Sequence, residues 1–325
     1  MNWTLHPAAH FADHAAQWDA LQAKQADAPM LQEDFVVALL AAFGTGAELL
    51  AVSADAMAIV RPHGRGSWAT FQPAQAPLGM WIERPGLDRA AAMASLLRAL
   101  PGVGLVLGLT QLDPLLAPAP VDAIDYIQTA RITVAGTFDD YWAARGKNLR
   151  SNLKKQRAKL AADGVALRLQ VSTDEHAMMD AVADFGRLES AGWKAQAGTA
   201  VHLDNAQGRF YSSMLAAFAA RGAASVYRYW FGEQLVAMDL CIRQGGCIVV
   251  LKTTYDESVP KTYSPALLMR EDAVRGLFDA GGTARIEFYG KVMEWHTRWT
   301  EEVRTLYHVN HYRWAALRRL HALSK

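Results

Sequence analysis

Apolar residues recur at helical spacing early in the chain. Leu31, Phe35, Val36, Leu39, Leu40 and Phe43 share one face, and Gly44 follows as a stop. The pattern then shortens to strand-like runs at 48–52 and 56–60, joined by the turn Ser53-Ala54-Asp55. The stretch 68–79 contains Pro73 and Pro77, which remove ladder donors, so it predicts a structured loop rather than a central strand. A helix is expected over 87–100, ended by Pro101-Gly102, and the apolar run 103–109 predicts a buried strand. After a segment punctuated by Pro114, Pro118 and Pro120, alternation at Ile127, Thr129, Arg131 and Thr133 predicts another strand, and the first half ends near Gly136.

The second half opens at Thr137 with Asp140 three residues on, a start resembling a capping box, and its helix is expected to end at Gly164. A strand over 165–171 follows, then the capping box Ser172 to Glu175, a helix to about Ser190, and a further helix over 207–221 stopped by Gly222. Three strands, 224–231, 235–243 and 247–254, are separated by turns at Gly232-Glu233 and Gly245-Gly246, which predicts an antiparallel meander. Ser264-Pro265 then starts a helix to about Phe278, a strand follows at 285–289, and the tail 303–323 holds a short strand and a basic helix.

A chain of 325 residues exceeds the comfortable size of one core, so two domains are expected, 1–136 and 137–325. With 51% hydrophobic and 20% charged residues the chain has enough apolar side chains to fold. A net charge of +1 argues against a surface tuned as a whole to DNA or to anionic lipid, and leaves room for a local basic patch. The first 18 residues lack the pattern of a signal peptide, and no apolar run is long enough to span a membrane, so the expected location is cytoplasmic. Cys241 and Cys247 lack metal-site spacing and are expected to be reduced core thiols; no metal is called for.

Three features carry candidate chemistry. A strand leading through a loop into the helix at Ser264 is an anion site in outline, because unpaired amides and the helix dipole both favour a phosphate. The segment from Arg145 to Lys159 holds Arg145, Lys147, Arg150, Lys154, Lys155, Arg157 and Lys159 with no acid between them, while Trp142, Leu149, Leu153 and Leu160 make its apolar stripe. It is either a solvated face or a grip on an anionic substrate such as a nucleotide-sugar, a lipid-linked saccharide or tRNA. Lys252 falls inside an apolar strand, where an unpaired ammonium is costly. A two-residue turn at Gly245-Gly246 would set Asp239 opposite it, so a cross-strand ion pair competes with a role in a cleft.

The ordered motifs Tyr141-Trp142, Lys147-Asn148-Leu149-Arg150, Leu153-Lys154-Lys155, Leu188 through Lys194, Leu251-Lys252, Tyr255-Asp256, Ser264-Pro265, Glu287 through Gly290, Trp295-His296 and Trp299 resemble the CelD/BcsL-type GNAT acetyltransferases, relatives of the FemAB-type aminoacyl transferases. The resemblance covers about residues 30–310. It implies an α/β (α+β) fold of two GNAT-like domains, each a mixed, mainly antiparallel sheet flanked by helices. It also implies acetyl-CoA, or another acyl-CoA, as co-substrate, with the pyrophosphate at Lys261, Thr262, Tyr263, Ser264, Ala266 and Leu267. Two positions depart from the family pattern: Ala266 stands where Gly is frequent, and His296 where Lys is frequent.

GNAT chemistry needs direct attack by the acceptor, a path for its proton and a donor for the departing thiolate. Tyr255 and Tyr263 are candidate donors, Asp239, Glu287 and His296 candidate bases with His296 expected to titrate near neutrality, and Lys252 a candidate oxyanion stabiliser. Trp193, Lys194, Arg150 and Arg298 are candidate acceptor contacts, and the loop holding Gln72 and Gln75 is either a rigid connector or a source of contacts to sugar hydroxyls. The resemblance implies an amine or hydroxyl of a saccharide or related precursor as the acceptor, in exopolysaccharide synthesis. Two other functions compete: FemAB-like aminoacyl transfer from charged tRNA, and a non-catalytic GNAT-fold partner of a polysaccharide-synthesis complex.

Overall fold

The computed structural model describes residues 1–190 and 201–323. In chain order the strands are β1 (Thr4–Pro7), β2 (Leu49–Val52), β3 (Ala56–Gly64), β4 (Ser67–Thr70), β5 (Trp81–Glu83), β6 (Val106–Leu112), β7 (Ile124–Thr133), β8 (Leu167–Ser172), β9 (Ala224–Phe231), β10 (Gln234–Gln244), β11 (Cys247–Tyr255), β12 (Arg285–Glu287) and β13 (Val303–Tyr312). The helices are α1 (Ala15–Gln22), α2 (Glu33–Phe43), α3 (Arg89–Ala99), α4 (Phe138–Ala143), α5 (Lys147–Ala162), α6 (Met178–Ser190), α7 (Ala206–Ala220), α8 (Pro265–Ala280), the one-turn α9 (Glu294–Thr297) and α10 (Ala315–Leu323).

The chain divides into two compact units, Met1–Gln128 with Arg304–Lys325, and Thr129–Val303. The sequence put the division near Gly136 and the tail in the second half. Instead β13 returns to the first unit, where it pairs antiparallel with β6 and Arg304 grips the buried Asp113 through two bonds of 2.9 and 2.7 Å. That pairing links residues some 190 positions apart, and local periodicity carries no trace of it.

In the first unit β1, β2, β3, β4, β6 and β13 lie side by side, with β5 added on β3. β4 and β6 are parallel, joined through α3, whose apolar face of Met93, Leu96 and Leu97 packs on Trp68, Leu107 and Leu109. Asp88 caps α3 by accepting the Ala91 N–H at 3.0 Å.

The second unit repeats the parallel strand–helix–strand pattern: β11, then α8, then β12. Its sheet runs β7, β12, β11, β10, β9, β8. α5 and α8 pack together on one face, where Leu149, Leu153 and Leu160 meet Leu268, Met269 and Val274 over Tyr229, Ala237 and Ile248. α6 and α7 cover the other face, supplying Phe185 and Tyr211 beneath Lys252.

Three local expectations change. The single helix expected over 137–164 is broken into α4 and α5 at Gly146, which sits in non-helical backbone at φ −53°, ψ 134°. The cap expected from Ser172 comes from Asp174, whose carboxylate accepts the His176 N–H at 2.8 Å, because the Ser172 hydroxyl instead accepts a bond from Arg228. The turn at Gly245-Gly246 forms as expected, but Leu251 enters β11 as an extra residue, so Leu240 faces Lys252 and Asp239 faces Thr253. The expected Asp239–Lys252 pair is therefore absent, since one inserted residue reverses which side chains share a face.

Leu268 on α8 is fully buried. Leu268→Ala is expected to lower unfolding free energy by about 2–5 kcal/mol in urea titration, the range for an unrelieved core cavity.

Candidate active site

β12 accompanies β11 only across Cys247–Arg285, Ile248–Ile286 and Val249–Glu287. β11 then runs on to Tyr255 beside β10, while the chain beyond β12 turns away through Tyr289, which holds a left-handed φ of 38°. The parting strands border a cavity of about 760 Å³. Thr253 and Tyr255 come from β11, Lys261 and Tyr263 from the following loop, Ser264, Ala266, Leu267 and Arg270 from the start of α8, and Trp295 and Trp299 from the segment after β12. Tyr255 and the loop residues Lys261, Tyr263, Ser264, Ala266 and Leu267 therefore border one space, and Thr262 falls within the same turn.

The start of α8 is left open by local chemistry. Ser264 is the N-cap residue but its hydroxyl caps nothing. Gln156 of α5 instead accepts the Ser264 N–H at 2.9 Å and reaches its hydroxyl at 3.5 Å. Pro265 has no N–H, and Leu267 and Leu268 turn back to the Ser264 carbonyl at 2.9 and 3.0 Å. The Ala266 amide thus belongs to an uncapped first turn that borders the cavity, where a helix N-terminus favours an anion. Lys261 adds a cation. Tyr263 is fixed by its hydroxyl bond to Asp163 at 3.2 Å and by Lys159, 5.3 Å above its ring. These groups fit a pyrophosphate.

The first unit treats its own parting strands differently. Thr70 and Thr110 bond across β4 and β6 at 2.7 Å, and Gly79 packs there so closely that a Cβ would lie 2.3 Å from the Thr110 carbonyl oxygen. The start of α3 carries the Asp88 carboxylate, a charge that repels phosphate. Gln72 and Gln75 lie in this unit, where the Gln72 amide donates to the Ala76 carbonyl at 2.9 Å and closes its own loop.

Arg270 is the residue that motif reading missed. It is buried, yet lines the cavity; its guanidinium meets the Asp239 carboxylate at 2.6 Å, donates to Thr253 Oγ1 at 3.0 Å, and lies over the rings of Phe288 and Trp295. Asp239 is fully buried, and burial raises its pKa above the usual carboxylate value although Arg270 opposes the shift. The sequence signal was an arginine set among the apolar positions of its helix, between Leu267-Leu268-Met269 and Ala273-Val274.

Lys252 points to the opposite face of β11. Its ammonium meets the buried Glu189 at 3.2 Å and lies 5.5 and 5.4 Å over the rings of Phe185 and Tyr211. Glu287 is buried within the sheet beside Arg285, at 3.3 Å. Arg298 is exposed and paired with Glu294 at 2.7 Å. Arg150, on α5, donates to the Arg145 carbonyl at 3.0 Å and lines a separate groove. Trp193 and Lys194 lie outside the described residues. No group of three or more His, Cys, Asp or Glu side chains able to hold a metal occurs among the described residues.

His296 does not titrate near neutrality. It is buried, stacks on Trp295 at 3.6 Å, and its Nδ1 accepts the Met293 N–H at 2.9 Å. Burial, with the Arg270 cation adding to it, pushes its pKa down to about 4. The ring is neutral at pH 7 and serves as a helix-start acceptor behind the cavity wall.

Residues 147–297 match the family described as Acetyltransferase (GNAT) domain. Comparison with curated proteins gives no match. Among solved structures, the chain is similar to the C-terminal domain of a putative lysylphosphatidylglycerol synthetase from Agrobacterium fabrum, at 14% identity and a TM-score of 0.60 over 96% of this chain and 95% of that one. It is similar to L-PGS from Bacillus licheniformis, at 10% identity and 0.58 over 95% of each chain. It is also similar to FemX, at 9% identity and 0.59 over 98% of this chain and 99% of that one. At such identities these likenesses establish the fold. The chain is an acyltransferase of GNAT fold, and that fold implies an acyl-CoA co-substrate. No described helix is long and apolar enough to cross a membrane.

The depressed His296 pKa has a stability consequence with a definite sign. Above pH 6.5 the ring is neutral in both folded and unfolded chains; as pH falls from 6.5 toward 4 only the unfolded chain takes the proton, so stability is lost at up to about 1.4 kcal/mol per pH unit. The difference in unfolding free energy between wild type and His296→Gln is expected to shrink across that window, measured by denaturant titration at each pH. A constant difference from pH 7 to 4 would mean that the ring titrates normally.

Proposed function

We propose that the cavity between β11 and the segment after β12 binds acyl-CoA and that the chain transfers its acyl group to an amine or hydroxyl of a small acceptor. The observation that carries this reading is the conjunction of parted strands with an uncapped helix start on the same cavity. The turn from Lys261 to Leu267 is assigned to the pyrophosphate. The acceptor nitrogen or oxygen attacks the thioester carbonyl carbon, the C–S bond breaks, and the thiolate leaves with a proton. Tyr255, half exposed on the cavity wall, is assigned as the proton donor.

Oxyanion support passes in this reading from Lys252, which is neutralised by Glu189 on the other face, to Arg270, the fixed cation of the cavity. Asp239 then holds Arg270 in place rather than acting as a base, and Glu287 and His296 are framework groups. The acceptor's proton leaves to solvent. The resemblance to CelD/BcsL-type enzymes favours a saccharide precursor, in exopolysaccharide synthesis, as the acceptor.

A second reading is aminoacyl transfer from charged tRNA. It is favoured by the kinship of the CelD/BcsL-type enzymes, which the sequence resembles, with FemAB-type transferases, and by the near-complete coverage of the chain by the fold of FemX.

Acetyl-CoA at about 100 times its dissociation constant is expected to stabilise the protein by ~2.7 kcal/mol, seen as a raised Tm. No shift at large excess, together with retention of tRNA at low salt, would move the assignment to the second reading. Arg270→Lys keeps a cation for Asp239 but loses the planar fork; it is expected to cut kcat by roughly 100-fold while the Tm shift with acetyl-CoA persists. Unchanged kcat would remove Arg270 from the chemistry.

A further inference from the structure

The first half of α5 borders a second concavity in the same unit, a groove of about 460 Å³. Trp142 forms its wall, and Lys147, Arg150, Ser151 and Lys154 line it with Arg157 and Glu271. The charges are not balanced evenly. Arg157 is paired with Glu271 at 2.9 Å and with Asp272 at 2.7 Å, and it ties α5 to α8. No carboxylate among the described residues pairs with Lys147, Arg150 or Lys154. Spacings of three and four residues hold these three cations on one helix face, an arrangement that destabilises a helix by a few tenths of a kcal/mol per like pair. The first turn behind Gly146 is acid-free and has no side-chain cap, and it begins at Lys147 on the groove's lining, so the helix start adds its partial positive charge there.

The wall is rigid. The Trp142 indole stacks between Phe138 at 5.7 Å and Trp299 at 5.6 Å, with interplanar angles of 20° and 28°. Arg145 and the Tyr141 hydroxyl both donate to the Trp299 carbonyl, at 2.8 and 2.7 Å. Trp299 also lines the acyl cavity, so the groove and the cavity share the Trp142–Trp299 stack as a partition. A solvated face needs neither a concavity nor an aromatic wall.

We infer that this groove binds a phosphate monoester carried on a ring-bearing molecule, with Lys147, Arg150 and Lys154 on the phosphoryl oxygens and the Trp142 indole beside the ring. Two molecules of the acyl-transfer reaction have such a group to offer: the 3′-phosphate of CoA, and a phosphorylated acceptor. Only the choice between these sources rests on the acyl-transfer reading; the groove itself does not.

The test is calorimetric titration of the full chain at low ionic strength with inorganic phosphate, adenosine 3′,5′-bisphosphate, CoA and dephospho-CoA. The comparison is the triple variant Lys147→Gln, Arg150→Gln, Lys154→Gln, whose three side chains lie outside the core. Phosphate and the bisphosphate are expected to bind the wild type and to weaken about tenfold or more in the variant, with Tm unchanged. If wild type prefers CoA to dephospho-CoA by about tenfold and the variant does not, the phosphate is that of CoA. If the two bind alike in both proteins while the variant still loses inorganic phosphate, it belongs to the acceptor. Equal phosphate binding by wild type and variant, or its absence from both, overturns the proposal. So does loss of RNA binding alone with the phosphate titrations unmoved. Failure of dephospho-CoA to bind the wild type would count against the acyl-CoA cavity, and the inorganic phosphate titration would still decide the groove.

Discussion

The extra residue Leu251 in β11 sets the chemistry of the second unit. Before it, β11 is an ordinary strand held by β10 on one side and β12 on the other. After it, the pleat is reversed: Thr253 and Tyr255 look into the cavity, and Lys252 looks toward α6 and α7. A strand without the insertion would turn an ammonium toward α8, where Arg270 already stands. Two cations would then share a small buried volume with one carboxylate, an arrangement that low dielectric surroundings penalise heavily. The insertion separates them onto two faces and gives each its own acid, Asp239 for Arg270 and Glu189 for Lys252.

Those pairs belong to a wider pattern in which buried and half-buried charges tie elements together. Arg157 joins α5 to α8 through Glu271 and Asp272 and bonds the Tyr229 hydroxyl of β9 at 3.3 Å. Its neighbour Gln156 thereby reaches the start of α8 and takes the Ser264 amide. The openness of that helix start, on which anion binding depends, is thus a property of α5 as much as of the loop before α8. Such networks contribute little net stability compared with apolar packing, but they fix orientation, which is what a binding site needs.

The two units share the parallel strand–helix–strand pattern and differ in what fills the place where the strands part. In the second unit that place is a cavity with an uncapped helix start. In the first it holds Gly79 and a threonine pair, and the helix start carries Asp88. Similar backbones therefore leave an open, uncapped helix start in one unit and a filled, capped one in the other through a handful of side chains.

Much of this was legible along the chain, because periodicity and caps are local. The meander, its glycine turns and the Ser264-Pro265 helix start are written in neighbouring residues. The loop from Lys261 to Leu267 was found because strand, loop and helix occur in that order. That Lys252 needs a partner was legible too, since an ionised side chain in an apolar strand must find one.

Which partner it found could not be read. A bulge has no sequence signature here, and one residue of register exchanges the faces of a whole strand. Arg270 carries no motif signal, and only the docking of α8 on the sheet sets it against Asp239 and Thr253. His296 looked like a neutral-pH base until Phe288, Trp295 and Arg270 closed around it and lowered its pKa. The sequence by itself determined most elements, the strand–loop–helix order around Ser264 and the need for charges set in apolar strands to be paired. The tertiary structure alone decided the pairings, the faces and the return of β13 to the first unit, because these depend on contacts between residues distant in the chain.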